Sequence, residues 1–167
     1  SYNIDMPLGI TTRKMRAGEF EGVDYRFISR ETFDHWKQED LFIEATTYRN
    51  ESYGLLRRDV TAILDEGCDL LLILAAEGLE TFERLFPEQV TSIFIAPPSL
   101  EDLNDRRQKR GQTAHQVEDV FGEYRPYDFT ITNEHIPSAC REVCLIRGHF
   151  RDPKTMPKGP HRWREIQ

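Results

Sequence analysis

Three apolar runs constrain the fold of this chain more than any other feature of its sequence. They are DLLLILA (69–75), TSIFIA (91–96) and YDFTITN (127–133). Runs that are apolar on both faces are typical of strands buried in a parallel sheet. Helical patterns follow them at 77–86, 99–111 and 136–148. Because strands alternate with helices, the sequence predicts an α/β fold with a largely parallel central sheet.

The first third of the chain has a different pattern, with strand-like segments at 7–12, 25–29 and 41–48. A short helix is predicted from Ser29, a good N-cap residue, because Phe33 and Trp36 fall on one face. A second helix is predicted over 55–67. We expect the segment 25–54 to form an antiparallel flap at one edge of the sheet.

Length and charge limit the class of protein. With 167 residues, of which 38% are hydrophobic, the chain is expected to form one domain with its own core. The net charge of −7 argues against a general nucleic-acid or membrane binder. Residues 148–167 carry a net charge of +3, so any basic contact surface is local.

The cysteines and the hydropathy indicate a compartment. No run is apolar enough to span a membrane, and no signal peptide is recognised. The three cysteines Cys68, Cys140 and Cys144 do not suggest a disulfide framework, and we expect buried free thiols. The sequence therefore predicts a cytoplasmic protein.

The stretch GITTRKMRAGEFEGVDYRF (9–27) could hold a phosphate. Arg13 and Arg16 lie three residues apart after a strand-like segment, and arginine grips planar anions through paired hydrogen bonds. Thr11 and Thr12 add hydroxyl donors, and Tyr25 adds a phenol. From these residues alone, a solvated hairpin and a phosphate site both stay open.

The order of the motifs resembles the guanylate kinase family. TTRxxRxGExxGxDYxF is followed by FxE, by a YG pair, by IFIAPPSLEDL and by RR…RG, and the match covers about residues 8–147. The resemblance implies a guanylate-kinase-like domain over 1–150. Its nucleotide-binding flap would span about 10–55 and its lid about 104–124, with a basic, proline-containing tail at 151–167.

The resemblance also implies site residues. The positions that match Arg13, Arg16, Tyr25 and Tyr53 hold the phosphate of GMP in the family, and the position that matches Glu44 accepts hydrogen bonds from guanine. All five residue types are present. The resemblance therefore implies a nucleoside-monophosphate pocket with an intact anion clamp.

The donor side of the family is matched less completely. Arg106 and Arg110 match lid arginines that reach toward the ATP phosphates. Asn133 matches an asparagine near the adenine site, but it could equally cap the next helix. A further lid arginine of the family is replaced within QVEDVFGEY (116–124). We interpret Arg106, Arg110 and Asn133 as possible remnants of the donor side.

Several positions depart from the family pattern. Gly9-Ile10 replaces a serine of the monophosphate site, and Leu55 replaces a serine or threonine that helps to read guanine. Ile73 and Ala75 stand where the family carries acids that serve the base or the magnesium–phosphate centre. These departures weaken base reading and metal positioning.

The ATP-binding loop GxxxxGK[ST] is the largest departure. The ten residues before Thr11 contain one glycine and no lysine, and no GK[ST] occurs elsewhere in the chain. We therefore expect the first βα unit to be missing, ATP-dependent transfer to be lost, and no catalytic residue, metal or cofactor.

Three functions follow. The leading one is a non-catalytic module that binds GMP, dGMP or another phosphorylated ligand, such as a phosphopeptide. The second is a nucleoside monophosphate kinase, or another nucleotide-acting enzyme, whose donor site another chain supplies. The third is an interaction protein with a relic pocket, in which the tail 151–167, residues 1–7 or a second subunit covers the exposed sheet edge or the tail docks a protein partner.

Overall fold

The structure is a computed structural model that describes residues 3–48, 50–109 and 126–151, with side chains as far as residue 148. The lid residues 110–124, including Arg110, and the tail beyond Arg151 lie outside this description. The chain divides into two compact units, Ser1–Val90 and Thr91–Gln167. Each unit is described by itself.

The first unit contains most of the strands. They are β1 (Ile4–Asp5), β2 (Ile10–Thr11), β3 (Arg26–Phe27), β4 (Phe42–Tyr48), β5 (Glu51–Leu56) and β6 (Asp69–Leu70). Its helices are α1 (Arg30–Gln38), α2 (Arg57–Asp65) and α3 (Ala76–Leu85).

The segment predicted as a flap contributes to a four-stranded sheet with the order β3-β2-β5-β4. Strand β5 pairs antiparallel with both β2 and β4, whereas β2 and β3 pair in parallel. The sequence did not predict β5, because the Tyr53-Gly54 pair was placed after the strand-like segment 41–48 and not within a strand. Helix α1 starts at the predicted cap, where the Ser29 hydroxyl accepts a hydrogen bond from the Thr32 amide at 3.1 Å.

An irregularity in β4 divides its side chains between two hydrophobic clusters. The register against β5 shifts between Phe42 and Glu44, as in a β-bulge. Phe42 packs with Ile10 and Phe33, while Ile43 packs with a second cluster that contains Val60 and Phe82. The strand thus contributes to both clusters while Glu44 is left to face a cleft.

The run 69–75 corrects one prediction. Only Asp69 and Leu70 form a strand, which pairs in parallel with β1. Because β1 spans two residues, the ladder ends there. Leu71 is 41% exposed and Ile73 is 86% exposed, so burial on both faces was wrong for this run.

The second unit contains β7 (Ile93–Ala96), α4 (Leu100–Gln108), β8 (Phe129–Thr132) and α5 (Ile136–Arg151). Strands β7 and β8 pair in parallel, as predicted. The Asp128 carboxylate accepts hydrogen bonds from the Ser92 amide and hydroxyl, both at 2.8 Å. These bonds fix the start of the ladder.

The cysteines correct a second prediction. Cys140 and Cys144 share α5, as their spacing predicts, but both are exposed, and Cys68 is half-buried. The expectation of buried thiols was therefore wrong. None of the described helices combines the length and the apolar character that crossing a membrane requires.

Candidate functional site

A cleft of about 390 Å³ lies in the first unit, against the four-stranded sheet. Its polar lining residues are Tyr25, Glu44, Thr46, Tyr48 and Tyr53. Its apolar lining includes Leu55, Ile73, Leu74 and Ala75. The structure therefore brings three of the five predicted pocket residues together in one concavity.

Arg13 lies beside the tyrosines of this cleft. Its guanidinium carbon is 5.5 Å from the centre of the Tyr25 ring and 5.6 Å from that of Phe27. The nearby Tyr53 contributes to a raised pKa of Arg13, although the main cause is the hydrogen bond to Glu19. The predicted grouping of Arg13, Tyr25 and Tyr53 is thus present in the geometry.

Glu19 holds the Arg13 guanidinium in place. Its two carboxylate oxygens accept from Nη1 and Nη2, both at 2.9 Å, and the Lys14 carbonyl accepts a further Nη1 bond at 2.8 Å. Both side chains of the pair are largely buried, with 12% and 19% exposed. The hydrogen bond from Arg13 and a second one from the Arg16 amide hold the pKa of Glu19 below its ordinary value.

This pairing leaves one edge of the guanidinium unused by these acceptors. Arginine has five N–H groups, and Glu19 and Lys14 occupy both on Nη1 and one on Nη2. The Nε–H and the second Nη2–H lie on the same edge and point in the same direction. Two parallel N–H groups form the fork that binds a phosphate in bidentate fashion.

Glu19 was not among the predicted site residues. The signal was present, because an acid follows Arg13 by six residues within the RKMRAGE stretch. Without the fold, the turn that returns this acid to Arg13 could not be inferred.

Arg16 is placed differently from Arg13. Its side chain is exposed, and its backbone amide makes the contact with Glu19, at 2.8 Å. In this structure, Arg16 contributes its backbone to the turn, and its role in the clamp stays a prediction.

The two threonines correct the suggestion that they supply donors to phosphate. Thr11 is fully buried and donates its hydroxyl to the Ser52 carbonyl at 3.0 Å. The Thr12 hydroxyl donates to the Glu51 carboxylate at 2.7 Å and accepts from the Ser52 amide at 2.9 Å. Both hydroxyls therefore join β2 to β5.

Steric exclusion by Tyr25 explains why position 9 is a glycine. A Cβ atom there would lie 2.9 Å from Cε1 of Tyr25, which is closer than carbon atoms pack. The ring of Tyr25 covers the space that a serine side chain would need. The departure from the family pattern at this position is thus matched by the position of Tyr25.

Glu44 is the buried acid of the cleft. Its residue surface is 6% exposed, and a Cβ atom at Gly78 would lie 3.0 Å from its Oε1. Within the described residues, no side chain donates a hydrogen bond to this carboxylate. Burial, with a smaller contribution from the charge of Glu77, raises the pKa of Glu44 from 4.5 to about 7.

The predicted donor-side residues lie in the second unit. Arg106 donates through Nη2 to the Asn133 carbonyl at 2.9 Å, and Oδ1 of Asn133 is buried without a partner among the described residues. Arg110 lies outside the described residues. Arg106 and Asn133 are therefore adjacent, and their role stays a prediction.

The residues do not fit a magnesium centre at the end of the run 69–75. Ile73 and Ala75 have no side-chain oxygen, and hard divalent cations bind to oxygen ligands. In residues 3–48, 50–109 and 126–151, no group of three or more His, Cys, Asp or Glu side chains is placed to hold a metal ion.

Comparison with known proteins agrees with the sequence motifs. A family model described as "Guanylate kinase" matches residues 2–146. A guanylate kinase from Pseudomonas fluorescens (strain Pf-5) is 38% identical over 144 residues, which cover 81% of this chain and 69% of the relative. A guanylate kinase from Legionella pneumophila (strain Paris) is 35% identical over 165 residues, which cover 93% of this chain and 78% of the relative.

A solved structure supports the same conclusion. The crystal structure of guanylate kinase from Anaplasma phagocytophilum matches with a TM-score of 0.74 and 33% identity, and the match covers 88% of this chain and 76% of the other. The predicted α/β guanylate kinase fold is thereby confirmed. Matching motifs, relatives and fold together show that the chain belongs to the guanylate kinase family.

Proposed function

We propose that the chain binds a nucleoside monophosphate, GMP or dGMP, in the cleft of the first unit. The observation that carries the proposal is the Nε/Nη2 edge of Arg13, which Glu19 and Lys14 leave unoccupied and which lies beside Tyr25 and Tyr53, in the unit whose cleft also holds Glu44. An anion clamp and a buried hydrogen-bonding group in one unit match a ligand with a phosphate and a polar ring. The relatives named guanylate kinase support the same ligand class.

We further propose that these residues bind without transferring a phosphoryl group. Such transfer relies on metal ions and cations that neutralise the moving charge. Ile73 and Ala75 supply no metal ligand at the end of the run 69–75. The predicted absence of an ATP-binding loop stays a prediction.

Glu44 favours a nucleotide over a phosphopeptide. A phosphorylated side chain needs the clamp alone, whereas a buried carboxyl that accepts no hydrogen bond from the described side chains gains from a donor on the ligand. A base edge with N–H groups supplies that partner. The phosphopeptide is therefore the less favoured ligand.

Calorimetric titration with GMP at pH 8 tests the proposal, with guanosine and inorganic phosphate as partial ligands. We expect GMP to bind more tightly than either partial ligand. The substitution Arg13→Ala should weaken GMP about 10- to 100-fold, because a bidentate charge-assisted contact is lost. The matched control is Arg58→Ala, which removes an arginine that is 72% exposed on α2.

Two results contradict the proposal. If GMP binds no better than phosphate, or if Arg58→Ala weakens GMP as much as Arg13→Ala, the cleft does not hold the nucleotide. ADP formation by the purified chain from ATP and GMP would contradict the proposed lack of transfer and favour the kinase alternative.

A further inference from the structure

Glu44 can present two different hydrogen-bonding patterns to a ligand. An ionised carboxylate offers acceptors only, whereas a protonated carboxyl offers one donor and one acceptor. Guanine presents two adjacent donors, N1–H and the 2-amino group. Adenine presents an acceptor, N1, beside a donor, the 6-amino group. Each form of the side chain therefore complements a different base edge.

The surroundings of Glu44 do not fix either form. The carboxyl is buried, and the hypothetical Cβ contact at Gly78 shows that the start of α3 packs directly against its Oε1. Leu55 and Leu74 line the same cleft. The raised pKa of Glu44 has burial and the charge of Glu77 as its causes, with no hydrogen bond from a described side chain, so a ligand in the cleft can supply hydrogen-bond partners.

Among the described residues, the charged side chains around β4 do not offset the burial of Glu44. From α3, Glu77 adds a like charge, and from β5 the titratable group that lines the cleft is Tyr53. From α2, Arg57 contacts the Phe42 carbonyl and Asp40, at the other end of the strand. From α1, the packing residues are Phe33 and Trp36, which carry no charge. Tyr25 and Tyr48 complete the titratable lining.

We propose that protonation of Glu44 switches the base preference of the cleft, from a guanine-type edge when the side chain is ionised to an adenine-type edge when it is neutral. The inference rests on the proposed function, since it assumes that a nucleoside monophosphate occupies the cleft. It goes further because it assigns a second ligand class, adenine nucleotides, to the same residues. Proton uptake by Glu44 then determines which class binds.

The pH range of the switch follows from the burial of the side chain. Because the pKa of Glu44 in the empty cleft is about 7, the neutral form dominates at pH 6 and the ionised form at pH 8. An apparent dissociation constant scales inversely with the fraction of the competent form. GMP should therefore tighten about tenfold from pH 6 to pH 8, while AMP should weaken about tenfold.

The experiment measures the ratio of the AMP and GMP dissociation constants by calorimetry at pH 6, 7 and 8. The second phosphate ionisation, near pH 6, affects both nucleotides alike, so it cancels in the ratio. We expect the ratio to rise about 100-fold from pH 6 to pH 8 in the unsubstituted chain. In Glu44→Gln the amide cannot ionise, and the ratio should stay constant near its low-pH value.

A second variant keeps the test informative if Glu44→Gln does not fold. Glu77→Gln removes an exposed like charge, so the midpoint of the ratio should move to lower pH. If both nucleotides bind and the ratio is the same at every pH, the switch is wrong and the proposed function stands. If neither nucleotide binds at any pH, the proposed function fails, and the switch fails with it.

Discussion

Glu19 and Glu44 belong to the same unit but lie in opposite electrostatic surroundings. Glu19 forms a bidentate ion pair with Arg13 and accepts a third bond from the Arg16 amide. Glu44 is buried against α3 without a described donor and near another acid, Glu77. The pKa of Glu19 is lowered by its hydrogen bonds, and the pKa of Glu44 is raised by its burial.

The difference separates two tasks of a binding site. At the Arg13 end, the protein supplies both charges and fixes the fork before any ligand arrives, which lowers the entropy cost of binding. At the Glu44 end, the protein supplies a single group whose partner must come from the ligand. We infer that the first end keeps its own charges constant between pH 5 and 8, while the second end sets a selectivity that depends on pH.

The largest expected effect is the loss of folding stability when the buried Glu44 side chain ionises. Because its pKa rises from 4.5 in the unfolded chain to about 7 in the folded chain, the folded state binds the extra proton between these values. The resulting stabilisation is complete below pH 4.5 and is lost as the pH rises through 7. Relative to Glu44→Gln, the unsubstituted chain should lose about 2–3 kcal/mol of unfolding free energy from pH 5 to pH 8.

Urea denaturation of both proteins across this range measures the difference. Glu77→Gln should show a smaller loss than the unsubstituted chain, because a secondary cause of the raised pKa is removed. If instead the unfolding free energies of Glu44→Gln and the unsubstituted chain differ by the same amount at every pH, that result would contradict the proposed difference in pKa between Glu19 and Glu44.

The next effect tests how tightly the Glu44 end is packed. A Cβ atom at Gly54 would lie 2.7 Å from Cδ1 of Phe42 and 3.0 Å from the Glu44 carbonyl. Gly54→Ala should therefore lower the unfolding free energy by about 2 kcal/mol through overpacking. Gly148→Ala is the control, since a Cβ atom there meets nothing within 4 Å. It should stabilise α5 by about 0.5–1 kcal/mol, and equal losses in the two variants would contradict this account.

A third prediction concerns Glu19 as a positioning residue. Glu19→Gln removes the carboxylate that orients the Arg13 guanidinium, so GMP should bind about tenfold more weakly. In an Arg13→Ala background the same substitution should change little, because the group that it positions is gone. Calorimetry on the four proteins of this cycle measures the coupling. Tighter GMP binding by Glu19→Gln would show instead that the glutamate competes with the phosphate.

The smallest effect concerns Gly9 and the ring of Tyr25. Gly9→Ala and Gly9→Ser should each displace the ring and lower the unfolding free energy by about 1 kcal/mol. Both should weaken GMP by a few fold, since Tyr25 flanks Arg13. Thermal unfolding and GMP titration compare the two variants. If the serine variant binds GMP more tightly than the unsubstituted chain, the hydroxyl matters more than the ring position.

The sequence predicted the grouping of Arg13, Tyr25 and Tyr53 better than it predicted the surroundings of these residues. Arg13, Tyr25 and Tyr53 could be grouped because their spacing in the family motifs is distinctive. The ion pair to Glu19 could not be inferred, because it depends on a turn that brings residues six apart together. The two threonines were assigned to the ligand, since the sequence did not indicate that β5 runs beside them.

The buried strands were predicted from runs of apolar residues. This prediction was wrong for the run that, in the part of the chain that the structure describes, has no neighbouring strand along most of its length. The runs at 91–96 and 127–133 form paired strands, whereas most of 69–75 does not pair among the described residues. Apolar composition indicates which segments can be buried. It does not indicate whether a neighbouring strand is present to bury them.

Because of the irregularity in β4, the number of residues in this strand determines which side chains face the cleft. In a regular strand, alternate residues share a face, so Phe42 and Ala45 would point to opposite sides. Both pack in the same cluster here, because the extra residue reverses the alternation between them. Glu44, Thr46 and Tyr48 consequently line the cleft. Deleting one residue at this point would exchange the two faces and direct an acid into the core.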